Sequence, residues 1–355
     1  MGAEPTGSHP GPPPARSGPA RVESLHYRFR VRGTMVGDMT TRSSDRVREG
    51  SRGASAGDGG GRSEPRSWVL DEGEEIVPGR FALEELGGGD QYQAYLAWDE
   101  RLASLVVAKL VRPHLVEDER VLSRLGREAR LLRRLAHPVV VRGFGAVLDG
   151  RRPHVVMEHL EGPTLSSTIR RFGPLSVDQL IPLAFQLASG LWYLRNVEVV
   201  HLDVKPGNVI LGVPPRLVDL SVARSFRRAR DITGPIGTDA YMAPEQCDPT
   251  IGVISSPADV WGLGATLHHA ISGDVPFERS DGVDDDRGAR FPQLHEVPRP
   301  MPASCPPELE ALVLDTLDPD PRARPAPADV SGALEPLLGR LRYDKILGRS
   351  RPRIL

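Results

Sequence analysis

Between positions 201 and 219 the chain sets two aspartates, a lysine and an asparagine close together: His201-Leu-Asp-Val-Lys-Pro-Gly-Asn208, then Asp219. Lys109 lies in the apolar run Leu105 to Leu110, and Glu128 lies on an otherwise apolar helical face. These residue types suit phosphoryl transfer, which asks a protein for charge compensation and in-line positioning rather than covalent help. Asp219 is a hard oxygen ligand for Mg²⁺ and Asn208 a second one that adds no charge, and magnesium takes few protein ligands. Asp203 can accept or orient a hydroxyl proton while Lys205 neutralises the transferring group. The Lys109 ammonium can reach α- and β-phosphates and pair with Glu128, which gives that carboxylate a reason to sit on an apolar face. Taken singly, an Asp in a loop is a turn residue and a Lys in a strand is one that snorkels. Composition argues against that reading here. Lysine occurs only at 109, 205 and 345 and asparagine only at 196 and 208. Two of the three lysines and one of the two asparagines therefore stand where Arg or Asp would not do the same chemistry.

Elements that could position these groups follow from the hydrophobic pattern. Residues 1–72 are rich in Gly, Pro, Ser and Arg without a sustained apolar period, the composition of a disordered tail. Order is expected from near Ile76. Phe81 to Leu86, Ala94 to Trp98 and Leu105 to Leu110 read as successive antiparallel strands. From Asp118 to Leu135 the period becomes helical, with Val121, Leu125, Glu128, Leu132 and Leu135 on one face. Helical segments dominate after Leu165, interrupted by a strand and loop cluster around 197–222, and a last helix runs from Val330 to Leu341. The expected fold is α+β with two lobes, a small β-rich N-lobe (78–160) and a larger helical C-lobe (161–342), followed by a short basic tail (343–355).

The motifs, in their order and spacing, resemble the eukaryotic-like (Hanks-type) bacterial serine/threonine protein kinase family over about residues 78–342. They are Leu86-Gly-Gly-Gly89, Val107-Ala-Lys109, Glu128, Val156-Met-Glu-His-Leu160, the catalytic loop from His201 to Asn208, Asp219-Leu-Ser221, Gly237-Thr-Asp-Ala-Tyr-Met-Ala-Pro-Glu245, Asp259-Val-Trp-Gly-Leu-Gly264 and Arg324-Pro325. The resemblance implies ATP with Mg²⁺ or Mn²⁺ as cofactors and protein Ser/Thr hydroxyls as substrates. It gives catalytic roles to Asp203, Lys205, Lys109, Glu128 and Thr238, with Thr238 placed to hydrogen-bond both Asp203 and Lys205. It gives nucleotide contacts to Leu86, Gly87, Gly88, Gly89, Ala94, Ala108, Lys109, Met157, Glu158, Leu160 and Ile210, and metal ligation to Asn208 and Asp219. Glu245 and Arg324 would form a buried structural ion pair.

Three departures from the family pattern shape expectations. Tyr92 stands where a third glycine belongs and Asp90 adds negative charge nearby, so weaker ATP binding is expected, with relief on Tyr92→Gly. Ser221 replaces a glycine and would restrict the backbone after Asp219. Leu202 replaces the arginine before the catalytic aspartate, so activity should depend little on phosphorylation of Ser225 or Thr233, and Arg224, Arg227, Arg228 and Arg230 would order that loop only internally.

Other classes fit less well. A pseudokinase scaffold is the alternative that Tyr92, Asp90 and Ser221 would favour, and a small-molecule phosphotransferase shares only the His-x-Asp loop. A net charge of −2 gives no global pull toward nucleic acid or anionic membrane. The acidic stretch Asp281 to Asp286 could dock basic substrates or simply be solvated. The apolar run Val260 to Ile271 is too short and too broken by glycines and histidines to span a bilayer. Cys247 and Cys305, far apart and with no leader before them, fit a reducing cytoplasm rather than a disulfide framework or a zinc site.

Overall fold

The computed structural model describes residues 66–278 and 290–341. Residues 1–65 of the tail expected over 1–72, the Asp281 to Asp286 stretch and the basic segment 343–355 lie outside these residues. Strands β1 (Glu75–Val77), β2 (Arg80–Gly88), β3 (Tyr92–Asp99), β4 (Ser104–Val111), β5 (Gly143–Val147) and β6 (His154–Glu158) form one antiparallel sheet in the order β1-β2-β3-β4-β6-β5. Alternation along β4 decides what faces the cleft. Val107 and Lys109 point to one side, while Val106, Ala108 and Leu110 pack on the other with Ala82, Tyr95, Ala97 and Val156.

Helix α1 (Glu119–Arg134) crosses the cleft-side face of this sheet. It starts at Asp118, whose carboxylate accepts from the N–H groups of Arg120 (2.8 Å) and Val121 (3.2 Å), and it ends on Arg133 and Arg134, which suit the carbonyl end of the macrodipole. Val121, Leu125, Glu128 and Leu132 are its buried positions, as the period required. The second lobe is built on α2 (Leu165–Phe172), α3 (Val177–Asn196), α4 (Phe226–Ala229), α5 (Pro244–Cys247), α6 (Ser256–Ser272), α7 (Pro307–Thr316) and α8 (Pro327–Gly339). Nearly every residue of α6 is buried, so it forms the central post, and Gly273 at φ 87° closes it in the left-handed conformation that favours glycine. Short pairs β7 (Val199–Val200) with β10 (Arg224–Ser225) and β8 (Val209–Ile210) with β9 (Arg216–Leu217) hold the loops between the lobes.

Order begins earlier than composition suggested. Residues 66–72, expected in the tail, are hydrogen-bonded to the sheet: the Trp68 N–H donates to Gln93 Oε1 at 2.7 Å, and the indole N–H donates to the Val111 carbonyl at 2.7 Å. One large side chain with partners in β3 and β4 offsets the ordering entropy that a composition-based reading assumes will win.

Candidate active site

Strand β4 and helix α1 deliver Lys109 and Glu128 to the same point. Lys109 Nζ lies 3.0 and 3.1 Å from the two Glu128 oxygens and 2.8 Å from Asp219 Oδ1. Burial alone would push the Lys109 ammonium down, yet Glu128 and Asp219 outweigh it and hold its pKa above the ordinary lysine value. Burial also acts to raise the Asp219 pKa, but Lys109 and Ser221 reverse this and keep the carboxyl far below the usual carboxylate range. Asp219 is thus an anion at any physiological pH. At Glu128 burial wins and its pKa is raised, despite Lys109.

The catalytic loop is equally tied. Asp203 Oδ1 accepts from the Thr238 hydroxyl at 2.7 Å, and Oδ2 accepts from Asn208 Nδ2 at 2.8 Å and sits 2.8 Å from Lys205 Nζ. Lys205 Nζ in turn donates to Thr238 Oγ1 at 2.6 Å. The carboxylate is fixed in rotation with a cation beside it, as a group that takes or orients a hydroxyl proton requires. Backbone position comes from α6: Asp259 accepts from the N–H groups of His201 (2.7 Å) and Leu202 (2.8 Å). Burial pushes the Asp259 carboxyl up to about 7 against those two donors. Leu202 and Asp219 both adopt positive φ, 68° and 65°, costly for non-glycine residues, as do Ala103 and Glu198 elsewhere.

Asp219 and Asn208 offer hard oxygen donors, and the Asp219 side chain is 38% exposed against 14% for Lys109, so its carboxylate opens to the cleft. Among the described residues there is no cluster of three or more His, Cys, Asp or Glu that could hold a metal. One carboxylate and one amide fit a cation that completes its shell with phosphate oxygens and water.

The glycine-rich turn joins β2 to β3, with Leu86, Gly87 and Gly88 in β2, Gly89 in the turn and Ala94 opposite Lys109 in register. Gly87 takes φ 110°, and at Gly88 a Cβ would collide with the backbone of Tyr92. Tyr92 is not held away from the cleft. Its ring centroid is 4.9 Å from Lys109 Nζ and its hydroxyl donates to the Val121 carbonyl at 3.4 Å, bracing Lys109 and α1 from the turn side. Met157, Leu160 and Val107 pack toward the cleft core, and Ile210 lies in β8.

One expected contact is corrected. Ala108 is fully buried on the far face of the sheet, and the cleft-facing neighbour of Lys109 is Val107, because residues two apart share a face and adjacent ones do not. Counting by two back from Lys109 would have found it. The Glu158 side chain is used within the protein: Oε1 accepts from the Arg142 N–H at 2.8 Å and pairs with Arg216 at 3.3 Å.

Two contributors escaped the sequence reading. Ser221 donates its N–H to Asp219 Oδ1 at 3.3 Å and has no positive φ, so glycine's freedom is not needed here, and Leu220 is buried as the apolar neighbour. Gln246, almost fully buried, donates to the carbonyls of Leu202 (2.9 Å) and Ile236 (2.8 Å). A polar residue beside a buried glutamate carries no sequence signal of such a role. Glu245 itself forms a bidentate pair with Arg324 at 2.7 and 2.9 Å, buried on both sides.

Comparison with known proteins agrees with this geometry. The profile of the family described as protein kinase domain matches residues 82–333. Serine/threonine-protein kinase PknA of Mycobacterium tuberculosis is 32% identical over 259 residues, 70% of this chain and 58% of that protein. Serine/threonine-protein kinase A of a Synechocystis species is 30% identical over 281 residues, covering 72% of this chain and 52% of that protein. PknB of Mycolicibacterium smegmatis is 29% identical, covering 69% and 40%. The chain thus matches about half the length of these relatives.

Proposed function

We propose that this chain, which belongs to the protein kinase domain family, is a serine/threonine protein kinase that transfers the γ-phosphoryl group of ATP to protein hydroxyls. The observation that carries this reading is the closed polar network: Lys109 bonded to both Glu128 and Asp219, and Asp203 bonded to Asn208, Lys205 and Thr238. Bound at Asp219 and Asn208, Mg²⁺ or Mn²⁺ would supply charge neutralisation at the nucleotide phosphates. Lys109, anchored by Glu128, adds a fixed cation for those phosphates, and the backbone N–H groups of the glycine-rich turn offer further donors. Asp203 receives or orients the proton of the attacking hydroxyl, its carboxylate aimed by Thr238 and balanced by Lys205.

Met157 and Val107 would line the adenine site together with Leu86, Ala94, Leu160 and Ile210, and Glu158 would contribute through its main chain. The Lys205 and Thr238 arrangement around Asp203 is the feature that resembles serine/threonine rather than tyrosine kinases. The departures that would favour a scaffold do not disperse the polar set, since Ser221 supports Asp219 and Tyr92 braces Lys109. Among the described residues no helix is long and apolar enough to cross a membrane.

Incubation with labelled ATP, Mg²⁺ or Mn²⁺ and a generic basic protein, followed by phosphoamino-acid separation, tests the reading. Phosphoserine or phosphothreonine is the expected product. Phosphotyrosine alone, or no transfer with either metal, would refute it.

A further inference from the structure

The outer face of the sheet, opposite Lys109, carries a chain of hydrogen bonds that starts upstream of β1 and ends on the glycine-rich turn. Gln93 is in β3, paired in register with Gly88, and its side chain is fully buried on that outer face. A buried amide needs partners on both ends. It finds them in the main chain of Trp68: Gln93 Oε1 accepts the Trp68 N–H at 2.7 Å, and Nε2 donates to the Trp68 carbonyl at 3.2 Å and to Glu85 Oε1 at 2.9 Å. The Tyr95 hydroxyl adds a second donor to the Trp68 carbonyl at 2.9 Å. The indole is held by its own N–H on the Val111 carbonyl and by the Arg152 guanidinium 5.3 Å from its ring centroid. Residues 66–70 are therefore a strap seated on β3 and β4.

Arg112, the residue after β4, links this strap to the turn. Its Nη1 donates to Ser67 Oγ at 2.6 Å and to the Arg66 carbonyl at 3.1 Å, while Nε donates to the Gly89 carbonyl at 2.5 Å. The Arg112 N–H also donates to the Gln91 carbonyl at 3.0 Å. The Gly89 to Asp90 peptide is trans, so the Asp90 N–H points opposite to the Gly89 carbonyl that Arg112 holds. Glycines leave a turn free to move, and beyond the β2–β3 ladder and the Tyr92 contacts this one is held by the Gly89 N–H on the Tyr92 carbonyl at 3.1 Å and by Arg124 on Gln91 Oε1 at 3.1 Å.

We infer that the strap of residues 66–70 positions the glycine-rich turn for ATP phosphates, with Arg112 and Trp68 as positioning residues acting from the face that never touches nucleotide. The inference rests on the ATP reading above. Pinning the turn from outside removes part of the ordering cost that a free glycine-rich turn would meet on binding.

The test uses the full chain and compares wild type, Arg112→Ala, Ser67→Ala and Trp68→Ala for MgATP affinity by calorimetry, KM for ATP, KM for a basic protein substrate, and Tm. Arg112→Ala is expected to raise the ATP Kd and KM about fivefold, with protein-substrate KM within about twofold and Tm little changed. Ser67→Ala should move in the same direction by less. Trp68→Ala should match Arg112→Ala in KM for ATP and also lower Tm. A merely structural strap would lower Tm and the active fraction without moving KM for ATP. ATP Kd and KM within twofold of wild type in Arg112→Ala would overturn the inference, whether or not Trp68→Ala folds. If wild type itself binds no MgATP, the ATP reading fails and the strap inference with it. If wild type and Arg112→Ala bind equally, the strap inference alone fails.

Discussion

At Tyr92 the chain replaces the most permissive residue with a bulky one, and the consequence depends on where the ring goes. It goes over Lys109 and reaches Val121 in α1. Tyr92→Gly would free the turn and remove a wall from the Lys109 ammonium together. The expected outcome is a several-fold rise in KM for ATP, the reverse of the gain that glycine content alone suggests, while Tyr92→Phe stays near wild type because the 3.4 Å hydroxyl contact is long. Steady-state kinetics in ATP settles it, and a fall in KM for Tyr92→Gly would show that the ring obstructs the phosphates. With the two aspartates at the reacting centre, as the proposed function has them, Asp203→Asn and Asp219→Asn should each lower transfer on the order of 10³-fold with folding preserved. Circular dichroism alongside a transfer assay checks both halves of that statement, and full activity in either variant would remove the role assigned to it.

The segment between Asp219 and Glu245 shows how an element is held without an arginine before Asp203. Leu202 is buried and its carbonyl accepts from Gln246, which also takes Ile236, while Thr238 reaches Asp203 directly. These contacts tie the end of the segment to the catalytic loop with no phosphate. The arginines at the other end are not confined to the loop as expected. Burial, together with Arg127 and Arg124 of α1 and with Arg228, pushes the Arg224 guanidinium down to about 10. Among the described residues none of these four arginines is ion-paired. A phosphate on Ser225, which caps α4 beside them, would relieve that repulsion without touching Asp203. Phosphatase treatment is therefore expected to lower Tm yet leave activity within about threefold, while Gln246→Ala costs about tenfold or more, as roughly 1.4 kcal/mol of lost ordering would give. A tenfold loss on dephosphorylation alone would place control at the arginines instead.

Over the whole molecule, buried histidines and buried carboxylates pull stability in opposite directions as pH falls. His154 and His201 are fully buried and use both ring nitrogens, on Arg152 and Arg80 and on Val218 and Asp203 respectively. Burial lowers the pKa of each, as it does for His137 and His269. Their folded values lie below the unfolded value of 6.5, so the unfolded chain binds more protons in that range. The associated stability is complete above about pH 6.5 and is lost as pH falls toward the folded values. Asp259 and Glu128, whose carboxyl pKa values burial raises, act with the opposite sign, so the check is differential: His154→Gln, if folded, should lose less Tm than wild type, or gain more, between pH 7 and 5 in calorimetry. An unchanged pH dependence of Tm in a folded His154→Gln would contradict the assignment. A second measurement at this scale is ligand stabilisation. MgATP at about a hundred times its Kd should stabilise the fold by roughly 2.7 kcal/mol, and Lys109→Met should remove most of that gain.

What the amino-acid sequence determined by itself was the family, the class of fold and a set of candidate site residues. Lys109, Glu128, Asp203, Lys205, Asn208 and Asp219 stood out as candidates because phosphoryl transfer admits few substitutes at each role and the chain is nearly devoid of Lys and Asn. Thr238 came with the family resemblance, and the fold brings them into two bonded groups. Helix α1 and the strands were legible because burial imposes a period on local sequence, and that same period, followed strictly, separates Val107 from Ala108. Tertiary structure alone decided the direction of the Tyr92 ring, the partner of Ser221, the double duty of Gln246 and the seating of Trp68. Ser221 aside, whose partner Asp219 is two residues back, each depends on which distant group closes on it: Trp68 meets Gln93 25 residues away and Val111 43 residues away, and Gln246 meets Leu202 44 residues away. A hydrogen bond across such a separation leaves no period and no motif in the sequence, because its geometry exists only once the elements within each lobe have packed.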